Sequence, residues 1–214
     1  MQLLYFCVGF AFLGASFEAV SGEYDLSQDI PGGNRFKRYV VSKRKWPTNT
    51  MTWTLRTTSY ITPADRFIIR NTLHRAFNLW ASVSSLKFVE IPEGHQQWQP
   101  DINIAFVKGK HGDSMPFDGK EGIVAHAFYP TLGILHFDAD ENWTLNQQYG
   151  INLYQTAVHE IGHLLGLEHS TDSRAVMYPK NRKYDINYNL ADDDVRGIRR
   201  LYPQLKRYRF KKFI

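Results

Sequence analysis

The chain has 214 residues, 43% of them apolar and 22% charged, which is the composition of a soluble globular protein with room for one sizeable domain. Its formal charge is +5, concentrated around Arg35 to Lys45 and in the tail Leu205 to Ile214, where basic clusters either bind sulfated polysaccharide or nucleic acid or are simply solvated. The single cysteine, Cys7, excludes an internal disulfide framework.

In chain order, Leu3 to Ala15 is an apolar run too short to span a bilayer comfortably. Small residues follow it, with Val20 and Gly22 suited to the positions before a cut, so residues 1–22 read as a signal peptide and Glu23 as the new start. The alternative is a buried N-terminal helix. With the leader removed no thiol remains, which rules out a catalytic cysteine and a cysteine-ligated metal and leaves histidine and carboxylate as metal donors. No later stretch is long enough to span, so a secreted product is expected.

Thr50 to Thr57 alternates and is rich in β-branched residues, a strand. Thr62 and Pro63 open an amphipathic helix in which Phe67, Ile68, Leu73, Ala76, Phe77 and Trp80 recur at helical spacing. Leu86 to Ile91 and Asp101 to Val107 read as two further strands. From His111 to Trp143 the chain is dense in Gly, Asp and His, with short apolar runs at Gly122–Phe128 and Ile134–Phe137. A second helix runs from Leu153 to Leu167, and a third from Ala191 to Tyr202 places three aspartates first and arginines last, as the helix dipole favours. The fold class is α+β or mixed α/β.

Chemistry concentrates in the sequence HEIGHLLGLEH. His159 and His163 are four residues apart and project from one helix face, and two nitrogens at that separation suit tetrahedral zinc. Glu160 lies one residue round the helix, within reach of a water on the metal. Gly166 can end the helix in a left-handed conformation and return His169 as a third ligand. Three protein ligands leave one position open, the mark of a catalytic site.

This stretch has the metzincin form H-E-x-x-H-x-x-G-x-x-H. With AVMYP supplying Met177 downstream and HGDSMPFDGKEGIVAHAF and HFDADENW upstream, the chain from about Tyr39 to Tyr202 resembles the catalytic domain of the matrix metalloproteinases (matrixins). The resemblance implies a metzincin-like fold: a twisted, mostly parallel sheet with one antiparallel edge strand, and three helices. It implies a zinc endopeptidase with Glu160 as general base and Met177 as the floor of the zinc site. A structural zinc would be held by His111, Asp113, His126 and His136, and a calcium by Asp118, Gly119, Glu121, Ile123, Asp138 and Glu141. Two zinc ions and at least one calcium are therefore expected. Glu121 stands where the family has glycine, so its carbonyl serves only if the backbone angles there tolerate a β-carbon. The segment between His126 and His136 is shorter than the family's, so a second calcium is not expected and Asp101 is left without partners.

The resemblance also implies that Gly122–Phe128 is the edge strand on which an extended substrate pairs. Gln155 falls where the family varies its main primed-side pocket, or is simply solvated. Lys180, Arg182 and Lys183 point to tolerance of acidic side chains. Arg35 to Arg38 has the shape furin-like convertases cut, making 23–38 a short pro-segment, Tyr39 a new N-terminus, 39–204 the catalytic domain and 205–214 a basic tail. The ammonium of Tyr39 would pair with Asp193, or in reserve with Asp194. The pro-segment holds no cysteine for the family's thiolate switch, and no hemopexin-like sequence is seen, which disfavours native triple-helical collagen as substrate. Expected partners are extended peptide or protein substrates, tissue-inhibitor-type inhibitors and sulfated glycosaminoglycan, with no nucleic acid and no membrane span. The competing function is a noncatalytic, metal-stabilised matrix-binding module. One sequon, Asn142-Trp143-Thr144, adjoins Glu141, where an ordered calcium loop would hide it.

Overall fold

The computed structural model describes residues 5–9, 41–94, 99–180 and 182–204. The cleavage point at Arg38 and Tyr39, most of the leader, the pro-segment and the tail 205–214 lie outside the described residues.

The first long helix, α1 (Pro63–Val83), follows β2 (Thr50–Leu55). Thr62 caps it by accepting from the Asp65 amide at 3.2 Å, and Ser84 stops it, its hydroxyl donating to the Trp80 carbonyl at 2.8 Å. Its buried stripe is Ile69, Leu73, Ala76, Phe77 and Trp80. The expected inward residues Phe67 and Ile68 are instead 65% and 44% exposed; Ile69 occupies the inward position of that first turn. Trp80 reaches across to α2 (Leu153–Leu164) and donates its indole N–H to the Val158 carbonyl at 2.9 Å.

Five further strands complete the main sheet: β1 (Tyr5–Gly9), β3 (Lys87–Glu90), β4 (Ile102–Val107), β5 (Ile123–Phe128) and β6 (Ile134–Asp138). The order is β1-β5-β6-β4-β2-β3, parallel throughout except for the β5–β6 pair. That antiparallel register sets His126 opposite His136, so both side chains leave one face of the sheet. On its other side β5 carries β1, parallel, with Cys7 opposite His126 and Gly9 opposite Phe128. The segment read as the leader's apolar core thus lies along the strand expected to receive substrate. Two-residue strands β7 (Trp143–Thr144) and β8 (Ile151–Asn152) pair ahead of α2. Among the described residues no helix is long and apolar enough to cross a membrane.

Helices α1 and α2 pack side by side, α2 against β5 and β6, and α3 (Asp192–Leu201) against α1. Helix α2 is buried on nearly every side, Tyr154 excepted, so its termini need internal partners. Asn152 caps the start through the Gln155 amide at 3.0 Å. At the end, Leu167 N–H reaches the Gly162 carbonyl and Gly166 N–H the His163 carbonyl, both at 2.9 Å, a Schellman turn with Gly166 at φ +97°. The entering segment 41–46 satisfies the next carbonyls: Ser42 N–H bonds Gly166 and the Trp46 indole bonds Leu164, each at 2.8 Å. A Cβ on Gly166 would lie 2.5 Å from the Arg44 carbonyl oxygen.

Two backbone positions generate opposite stability predictions. Gly166→Ala is expected to destabilise by at least about 2 kcal/mol in urea unfolding, from left-handed strain plus the Arg44 clash; a loss under about 0.5 kcal/mol contradicts this. Glu121 has φ 65°, the one non-glycine residue in the left-handed region among those described. Glu121→Gly is expected to stabilise by about 0.5–1 kcal/mol, and a net loss would show that the position carries no such strain.

Candidate metal centre

The reversal at Gly166 brings His169 back over α2. The His163 Nε2 lies 3.1 Å from that of His159 and 3.2 Å from that of His169. Zinc–nitrogen bonds of about 2.0–2.1 Å give tetrahedral edges of about 3.4 Å, so this spacing is close to that of a ligated set. The tautomers agree with it. His159 Nδ1–H donates to the Val176 carbonyl at 2.6 Å and His163 Nδ1–H to the Leu167 carbonyl at 2.8 Å, which leaves both Nε2 lone pairs for a metal. Burial lowers His159 to about 3 and His169 to about 4, and drives His163 well below its ordinary value. All three imidazoles are therefore neutral, as ligation requires.

Glu160 is fully buried beside them, and neither of its carboxylate oxygens has a hydrogen-bond partner among the described residues. Burial raises its carboxyl well above the usual range. Beneath the helix Met177 is 2% exposed, and its sulfur lies where a Cβ on Gly162 would sit 2.2 Å away. The middle glycine of EIGH is thus the notch for the methionine. Asp194 holds this turn from below, accepting from the amides of Val176 (2.9 Å), Met177 (3.2 Å) and Ala191 (2.8 Å). It is therefore committed and no reserve partner for an ammonium. Asp193 differs: one oxygen accepts from the Ser170 hydroxyl at 2.6 Å, and the other is buried without a hydrogen bond among the described residues.

A second cluster forms where the loop before β5 folds over the β5–β6 pair. One Asp113 oxygen lies 3.0 Å from His111 Nε2, 2.9 Å from His126 Nε2 and 2.9 Å from His136 Nδ1. Its donor set of three nitrogens and one oxygen fits a closed tetrahedral zinc. Burial lowers His126 to about 4 and lowers His136 as well.

The expected calcium ligands gather less tightly. Asp138 and Glu141 each have a buried oxygen without a hydrogen bond among the described residues. Burial, reinforced by neighbouring carboxylates including Asp118, raises Asp138 and lifts Glu141 to about 7. An uncompensated acidic cluster of oxygen donors suits a hard cation, and Glu121 keeps the left-handed backbone that a glycine there would have. These carboxylates do not converge as closely as the two histidine clusters.

Three sequence expectations change. Asp101 has partners: its carboxylate accepts from the Thr52 amide at 2.7 Å and hydroxyl at 2.8 Å, bracing β2 against the start of β4. Gln155 is not solvated. It is 4% exposed, donates to the Lys183 carbonyl at 3.2 Å and accepts from the Asp185 amide at 2.7 Å, clamping that segment to α2 one turn before His159. Arg182 turns its guanidinium to the carbonyls of Ser173, Arg174 and Ala175, which takes it out of the basic trio. Tyr129 escaped the sequence reading; it is 5% exposed with its ring edge-on to His163 at 6.1 Å.

The Matrixin family model matches residues 45–203, well over half of the chain. Matrix metalloproteinase-15 of Homo sapiens is 40% identical over 178 residues, 78% of this chain and 26% of that protein. Stromelysin-3 of Mus musculus is 40% identical over 199 residues, 90% of this chain and 39% of the relative. Interstitial collagenase of Oryctolagus cuniculus is 45% identical over 152 residues, 70% of this chain and 31% of the relative. The chain thus spans well under half the length of each of these relatives. With the family match and the two histidine clusters together, the chain belongs to the matrixin family.

Proposed function

We propose that the protein is a secreted zinc endopeptidase acting on extracellular proteins. The observation that carries this is an open three-imidazole cluster beside a buried, unpartnered carboxylate, His159, His163 and His169 with Glu160. A zinc held there supplies a Lewis acid and a water of near-neutral pKa. Glu160 accepts the proton released as water oxygen adds to the scissile carbonyl, and delivers it to the amine nitrogen when the C–N bond breaks. Its burial serves this role, because a desolvated carboxylate binds a proton more strongly than one in water. Neutral imidazoles oriented by the Val176 and Leu167 carbonyls keep the three nitrogens aimed at one point.

Substrate binding falls to β5. Its outer side takes a parallel strand from Tyr5–Gly9, which supports the reading of this edge as one open to main-chain pairing. Removal of residues 1–22 during export uncovers it for an extended substrate, with pairing to backbone giving affinity and pockets giving selectivity. Gln155 and the segment it clamps form the primed-side wall in this reading. The second zinc, on His111, Asp113, His126 and His136, is structural, and calcium at Asp118, Asp138 and Glu141 relieves their mutual repulsion. Inhibitors of the tissue-inhibitor type would occupy the same cleft, and sulfated glycosaminoglycan would bind the basic clusters.

Cutting after Arg38 gives Tyr39 an ammonium. Val41 bridges antiparallel to Leu167, three residues before Ser170, whose hydroxyl donates to Asp193. In this reading the other Asp193 oxygen, which has no hydrogen bond among the described residues and lies 3.9 Å from the Arg196 guanidinium, accepts from that ammonium.

Two experiments test the reading. Glu160→Ala should keep both zinc ions by metal analysis while cleavage of an unstructured protein falls by roughly 10²–10⁴-fold; near-normal turnover rejects the assignment. Asp193→Asn should destabilise the chain beginning at Tyr39 by about 1.5–3 kcal/mol more than it destabilises an uncut Arg38→Ala chain. Equal losses in the two backgrounds would remove the Tyr39 pairing.

A further inference from the structure

We propose that Asn142 carries an N-linked glycan whose first sugars lie over the mixed polar and apolar groove between α1 and β7, an inference that rests on the export reading above. The sequon alone is a weak reason, since such triplets are often buried or unused. The structure adds the direction of each side chain. In this turn Glu141 points an oxygen into the interior. Trp143 donates its indole N–H inward to the Asp138 carbonyl at 2.7 Å and stands edge-on to Phe106 and Phe137. Thr144 turns its hydroxyl toward the Ile151 carbonyl at 3.4 Å. Asn142 between them is exposed, with its backbone pinned by the Ile151 amide at 2.9 Å and its side-chain amide in no hydrogen bond among the described residues. A tight turn is the reason: the Trp143 amide donates to the Glu141 carbonyl at 3.1 Å, which sets Asn142 at the apex and turns it outward. The calcium-ligand candidate Glu141 therefore does not hide the sequon; it turns Asn142 to solvent.

Two further features fit a bulky substituent. Gly150 sits against the asparagine, and a Cβ there would lie 2.6 Å from the Asn142 carbonyl oxygen and 3.0 Å from Nδ2; glycine keeps the approach to that nitrogen clear. Asn142 also lines the rim of a groove of about 400 Å³ with Tyr60, Ile61, Ile68 and Leu145, of which Tyr60 and Ile68 are 51% and 44% exposed. A sugar covers mixed surface of this kind, its hydroxyls toward Asp65 and Glu141 and its apolar face toward Ile68 and the side of the Tyr60 ring away from Lys108, whose ammonium lies 5.2 Å from the ring centroid.

The test is expression of the full chain in a eukaryotic secretory host, with the secreted protein sequenced from its N-terminus and weighed before and after peptide-N-glycosidase F. The proposal expects a mass loss on treatment and conversion of Asn142 to aspartate. Asn142→Gln and Thr144→Ala should abolish both, and Thr144→Ser should retain them. Export with a processed N-terminus but an unmodified Asn142 overturns the glycan and leaves the secretion reading intact. A cell-retained chain with its leader uncut and Asn142 unmodified overturns both. For the placement, Asn142→Gln should bind an apolar fluorescent dye several-fold more strongly than the glycosylated chain; equal binding overturns the cover over the groove.

Discussion

Three imidazole nitrogens held within 3.2 Å along the His159–His163–His169 chain converge on one point, two of them with lone pairs directed there by their Nδ1 partners, a set that a cation would draw together. Such an arrangement is unfavourable on its own, and much of the surrounding architecture maintains it. Helix α2 is buried almost all round, which fixes His159 and His163 on a rigid rod. Its C-terminal carbonyls are taken by the Schellman turn and by segment 41–46, so the chain can reverse at Gly166 without stranding polar groups in the interior. The Val176 and Leu167 carbonyls then fix the tautomers. Val176 is held by Asp194, Asp194 also caps α3, and α3 packs against α1, so the outer helices take part in aiming the nitrogens.

A similar economy runs through the second cluster. Without disulfides, the long irregular stretch before β5 needs some other tie. The antiparallel β5–β6 register supplies two histidines from one face, and the loop returns His111 and Asp113 to meet them. The acidic group around Asp138 and Glu141 follows on the same connection, its carboxyls raised first by burial and then by their neighbours' charge, both of which a cation would relieve. Strand β5 is thus tied to the second cluster through His126 and packed against α2, which carries His159 and His163. The strand proposed to pair with substrate is therefore firmly held.

The long elements and the motif residues were legible because their signals are local. β2, β3, β4 and the three helices follow from periodicity and caps, β5 and β6 showed as short apolar runs with β5 a strand by resemblance, and the two histidine clusters follow from spacing and resemblance. What could not be read depends on tertiary context. Phe67 and Ile68 keep helical spacing with the core residues, yet they lie in the first turns of α1, beyond the interior contact. β7 and β8 are too short to show a period. Asp101 was expected without partners because only metal ligation was considered, whereas Thr52 on the neighbouring strand uses its carboxylate. Gly162 looks like an arbitrary letter in EIGH until the Met177 sulfur is seen against it. Gln155 and Arg182 are polar residues in a polar-looking stretch, and only their carbonyl and amide partners reveal them as clamps. The Asp193–Asp194 pair was ambiguous for the same reason, since equal carboxylates separate only when the donors that reach them are counted.

The central claim is that the two histidine clusters hold zinc through nitrogen and oxygen alone. Zinc K-edge X-ray absorption on the secreted protein, with metal content measured on the same sample, tests it most directly. The expected result is two zinc ions per chain with all nearest neighbours at about 2.0–2.1 Å. A single zinc, or a sulfur neighbour at about 2.3 Å, would contradict it.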